Sequence, residues 1–69
     1  MLFFRLYYTD MKGKRWYRDS APINCIDGAL IWYRSFYRMC KTDNLGCTDF
    51  KMFKLINGKE ANVVAMNEA

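Results

Sequence analysis

Arginine and aromatic rings interleave through LFFRLYYTDMKGKRWYRDS and again through LIWYRSFYR, and all five arginines lie within these two stretches. Rings offer flat apolar surface, and guanidinium groups pair with carboxylates or phosphates and stack on rings. The chemistry on offer is recognition. The candidate binding residues are Arg5, Tyr7, Arg15, Trp16, Tyr17, Arg18, Arg34 and Arg38. Rings on a sheet surface can stack on bases, each worth about 1–3 kcal/mol, while arginine reaches phosphates. Tyr, Trp and Arg equally dominate the anchors of protein–protein interfaces. A plainer reading is that cross-strand ring pairs stabilise a hairpin.

Reaction chemistry is poorly supplied. The chain has no histidine, which removes the commonest general base and metal ligand. Cys25, Cys40 and Cys47 lack the tight spacing and the fourth ligand of a structural zinc site. The seven carboxylates are scattered, and no phosphate-binding glycine loop or nucleophile motif occurs. The expectation is no catalytic residue, no metal ligand and no cofactor.

A length of 69 residues predicts a single domain, residues 1–69, with one small core. Such a domain stands alone as a monomer or gains stability as a homodimer. The net charge of +4 is uneven. Residues 1–41 carry eight basic and three acidic side chains, hence +5, and residues 42–69 carry three and four, hence −1. A basic half suits an anionic partner, DNA or RNA included, or an acidic protein surface. It equally serves to solvate a small apolar domain. The amino terminus does not read as a secretory leader, and no apolar run approaches membrane-spanning length. An odd number of cysteines fits a reducing compartment. A cytoplasmic location without membrane contact is expected, the host cytoplasm if a phage encodes the chain. Cys40 and Cys47 flank a short loop and could meet, although thiols packed as small hydrophobes are commoner.

The elements that must carry these residues are legible. Leu2–Thr9 alternates with the period of a strand, and Asp10–Gly13 is a turn. Lys14–Asp19 is the returning strand. Its register is open. With Trp16 on the Leu2/Phe4/Leu6 face, the opposite face holds Arg5, Tyr7, Arg15 and Tyr17. With Tyr17 inward instead, that face holds Arg5, Tyr7, Trp16 and Arg18. Arg5 and Tyr7 are expected to be exposed either way. Asn24 is a suitable N-cap for a helix over Cys25–Lys41, with Asp27 in its first turn. Ile26, Ala29, Leu30, Tyr33, Phe36, Tyr37 and Cys40 form its apolar stripe, and Arg34, Arg38 and Lys41 fall outside it. Asp49–Ile56 and Lys59–Met66 are strands joined by Asn57-Gly58, a type I′ turn signal. Two-residue closure pairs Met52 with Val63 and Phe50 with Ala65. Asn67, Glu68 and Ala69 are expected to fray. The predicted class is α+β, with order ββαββ: a four-stranded antiparallel sheet with one helix on one face.

In size, composition and element order the chain resembles small bacteriophage proteins made against host defences, the anti-CRISPR proteins among them. The resemblance covers the whole chain and rests on no diagnostic motif, so it assigns no residue. It implies an inhibitor that docks on a host protein complex handling nucleic acid and blocks it. Many such inhibitors are acidic mimics of DNA, whereas this chain is basic. It would instead dock on acidic protein surface, or hold nucleic acid against its target. The alternative is a small direct nucleic-acid binder using the ring and arginine sheet face.

Overall fold

A computed structural model describes residues 1–67. Strands β1 (Phe3–Thr9) and β2 (Arg15–Asp19) precede helix α1 (Ile26–Thr42), and strands β3 (Thr48–Ile56) and β4 (Lys59–Met66) follow it. The strands form one antiparallel sheet in the order β2-β1-β3-β4. The expected α+β class and ββαββ order are what the chain adopts. No helix is long and apolar enough to cross a membrane among the described residues.

The pleat decides which residues are covered. Even-numbered Phe4 and Leu6 of β1 and Phe50 and Met52 of β3 are buried beneath Ala29, Tyr33 and Cys40 of α1. Tyr8 and Phe36 extend this core, with ring centroids 5.0 Å apart, and Tyr37 meets Phe50 edge-on at 4.8 Å. Tyr33 buries its ring without stranding its hydroxyl, which donates to the Asn67 carbonyl at 3.1 Å. Burial pushes the Tyr33 phenol up to about 12.

Several expectations shift by a residue. Cys25 rather than Asn24 occupies the N-cap, in extended conformation and with no side-chain cap bond, so the helix start relies on Asp27 in its first turn. Ile26 is exposed rather than on the buried stripe. Gly28 admits the Ile23 side chain: an added Cβ would stand 2.9 Å from the Ile23 Cγ2. The helix ends in a Schellman motif. The Leu45 amide donates to the Cys40 carbonyl and the Asn44 amide to that of Lys41, with Asn44 left-handed at φ 54°. Asn67 does not fray, since its amide also donates to the Phe50 carbonyl at 2.8 Å. Glu68 and Ala69 lie outside the described residues.

The second hairpin turns at Asn57-Gly58, with φ of 53° and 77°, as the sequence predicts. Its register does not persist. Ile56 pairs with Lys59 and Leu55 with Glu60, but Phe53 then pairs with Val63 and Met52 with Ala65. Two one-residue shifts separate these pairings, so the expected Met52–Val63 pair does not form. Val63 moves to the face away from the helix, and Val64 and Ala65 pack on the core instead. The shifts let the far half of β4 reach the core while the turn keeps its tight geometry.

Leu6 stands fully buried at the centre of the covered face. Leu6→Ala is expected to lower unfolding free energy by about 2–5 kcal/mol. Denaturant melts check this, and a loss under about 0.5 kcal/mol would contradict the assigned face.

Candidate interaction surface

The hairpin register places six candidate positions. Tyr7 pairs with Tyr17, Thr9 with Arg15, and Arg5 with Asp19. Arg5, Tyr7, Arg15 and Tyr17 therefore share the uncovered face. Trp16 and Arg18 pair with Tyr8 and Leu6 and point to the helix side. There Arg18 lies over the Phe36 ring at 5.0 Å, and the Trp16 indole N–H donates to Asp10 at 2.8 Å with Lys14 over its ring. Arg34 and Arg38 are exposed on α1, across the sheet from the uncovered face. The eight candidates do not form one surface. The β1–β2 turn does approach the loop after the helix: a Cβ on Gly46 would stand 3.2 Å from that of Met11.

β3 completes the uncovered face. Phe53 pairs with Arg5, Lys51 with Tyr7, and Leu55 with Phe3. Glu60 enters from β4 opposite Leu55. Three rings meet at the centre, Tyr7 against Phe53 at 5.8 Å and nearly perpendicular, and Tyr7 against Tyr17 at 6.0 Å. Alternation and the two-residue turn put Lys51, Phe53 and Glu60 on one face of the second hairpin, but the adjacency of that face to Arg5 and Tyr7 follows only from strand order.

Arg5 and Tyr7 are half-buried rather than exposed. Arg5 makes a bidentate pair with Asp19, at 2.7 and 3.0 Å, and its guanidinium stands 3.8 Å from the Glu60 carboxylate and 4.7 Å over the Tyr17 ring. Glu60 also accepts from the Tyr7 hydroxyl. Arg15 covers the other side of Tyr7 at 5.5 Å and donates to the Thr9 hydroxyl and the Asp49 carbonyl. Asp49 has φ 59° at the bulge where β3 leaves register with β1, which turns its carbonyl toward Arg15. The central arginine is thus neutralised, and among the described residues Arg15 and Lys51 are the cations of the face without a carboxylate partner. Beside the ion pair, Phe3 and Leu55 wall a concavity of about 530 Å³ bounded by the Asn57-Gly58 turn.

These contacts set proton affinities. The Asp19 bond holds Arg5 still more firmly charged, against a smaller desolvation cost. The Glu60 hydrogen bond raises the Tyr7 phenol above its ordinary value. The Arg5 bond depresses Asp19. Buried Cys40 is pushed up to about 11 by desolvation, with Cys47 beside it; both are free thiols in the core. A protonated, buried thiol is a poor nucleophile.

No known protein family matches the chain, and neither a curated protein nor a solved structure does.

The depressed Asp19 carboxyl links stability to pH. Its contribution is fully present above the unfolded value of about 3.9 and is lost as pH falls through the lower folded value. Asp19→Asn should therefore melt lower than the parent at pH 6, with the gap closing as pH falls below about 4. Melts from pH 2 to 7 check this; a gap constant with pH would show that the charge of Asp19 does not contribute.

Proposed function

We propose that the protein is a non-enzymatic binding protein that docks on a protein partner through its uncovered sheet face. In this reading it is an inhibitor of the anti-CRISPR kind, occupying a functional surface of a host complex that handles nucleic acid. The observation that carries the reading is the state of Arg5. It is already held by Asp19 and approached by Glu60, so the centre of the face is ringed and offers no unpaired positive charge. A phosphate backbone would meet two carboxylates there, which weakens the direct nucleic-acid alternative. A protein surface would meet fixed rings, with Arg15 and Lys51 at one end to pair with acidic side chains. Rings held by cross-strand contacts lose little freedom on binding.

The test is capture from nuclease-treated host lysate with immobilised protein, followed by affinity measurement on the partner captured. The variant Tyr7→Ala/Tyr17→Ala, shown to fold by its melt, is expected to weaken binding by at least about 2 kcal/mol. Full binding by that folded variant would remove the sheet face from the function. Labelled DNA or RNA, tried in parallel, should show little shift. A strong shift declining steeply with salt would favour the direct binder.

A further inference from the structure

β2 has a property that face docking leaves unused. All five of its residues are exposed, and it forms one edge of the sheet. The Ser20 amide donates to the Phe4 carbonyl at 2.9 Å, and the Asp10 amide to that of Lys14 at 2.8 Å. These two bonds fix the alternation of an antiparallel ladder. Even-numbered residues of β2 bond across to β1, so the amides and carbonyls of Arg15, Tyr17 and Asp19 point outward. Among the described residues no other group takes them. The opposite edge differs. β4 is twice out of register, and bulges of this kind twist an edge away from further pairing. β2 pairs without interruption from Arg15 to Asp19.

The charge of this edge is also unspent. Lys14, Arg15 and Arg18 meet no carboxylate within ion-pair distance among the described residues, whereas Asp19 is held by Arg5. Arg15 and Arg18 are three apart on a strand and so lie on opposite sides of the sheet, with exposed Trp16 and Tyr17 between them.

We propose that β2 receives an extended acidic segment of a protein partner as a fifth strand. The proposal rests on the protein-docking reading above and names the form of the partner. Backbone groups of the segment pair with those of Arg15, Tyr17 and Asp19, which supplies sequence-independent affinity. Selectivity comes from the side chains. Acidic residues belong opposite Arg15 and Arg18, and apolar ones opposite Trp16 and Tyr17. The matching pattern is acidic-apolar-apolar-acidic.

The probe is a capped hexapeptide, Thr-Glu-Val-Val-Glu-Thr, titrated into isotopically labelled protein, with a counterpart carrying Lys for Glu. The acidic peptide should shift the amides of Arg15, Tyr17 and Asp19 and slow their exchange with solvent; the basic one should bind at least tenfold more weakly. N-methylation of the Tyr17 amide keeps the ring and the ladder to β1 but blocks the edge. It can be introduced by joining synthetic residues 1–24 to 25–69 at Cys25, and should weaken the acidic peptide at least tenfold. Equal binding of the two peptides, indifference to the methyl group, or no binding at millimolar peptide would each overturn the proposal. A dimer that protects the same amides without peptide would overturn it in favour of a second copy. If the N-methylated protein still captures the lysate partner at full affinity while Tyr7→Ala/Tyr17→Ala does not, the edge reading falls and face docking stands. If both capture it at full affinity, face docking and the edge reading both fall.

Discussion

A helix of 17 residues is about 25 Å long and roughly 10 Å across, and it is asked to cover four strands. It can cover one face only. That limit divides the molecule. Phe4 and Leu6 of β1 and Phe50 and Met52 of β3 reach a core under α1, and Phe3, Arg5, Tyr7, Lys51, Phe53 and Leu55 stay on a face that no other element among the described residues covers. The ring content that lets so short a chain close a core also leaves rings on the wrong side of it. Tyr7, Tyr17 and Phe53 have no helix to pack on, so they pack on one another and on guanidinium groups.

The uncovered face is ordered by polar contacts more than stabilised by them. Exposed ion pairs contribute little, typically under about 1 kcal/mol, because water screens them and ordering long side chains costs entropy. What the Arg5 pair with Asp19 does is geometric. It joins β2 to β1, and Glu60 brings β4 to the same guanidinium. Tyr7 shares that carboxylate, and Arg15 shares that ring. Side chains of β1, β2 and β4 are thereby held in one arrangement before any partner arrives, which lowers the entropic cost of an interface.

The class and element order were legible because each element is marked locally. Alternation marks β1, Asn57-Gly58 marks the second hairpin, and the three- and four-residue steps from Ala29 to Cys40 mark the helix. The first hairpin's register was not legible. The Asp10–Gly13 turn allows two, and both leave arginine and a ring outward. The β4 shifts were hidden for a related reason: Val63, Val64 and Ala65 are all apolar, so either of two phases buries something acceptable. The site was half legible. Sequence named Arg5, Tyr7, Arg15 and Tyr17 but could not see Glu60 or Phe53 beside them, because β3 joins β1 only through strand order. It also offered Trp16 and Arg18, which only the alternative register would turn outward, and Arg34 and Arg38, which lie on the helix across the sheet.

The two edges of the sheet have been resolved in different ways. An edge strand carries unpaired amides and carbonyls, and a protein must either spoil that row or use it. β4 spoils it with two register shifts, which also carry Val64 and Ala65 into the core. β2 could have been spoiled as cheaply, since it is only five residues long and contributes no buried side chain. It stays in register instead, held against β1 by the Arg5–Asp19 pair at one end and by the Asp10 carboxylate, which accepts from the Lys12 and Lys14 amides, at the other. Both ends of the strand are fixed and its middle is left open. Core packing does not require that arrangement, and a strand poised to accept a neighbour does.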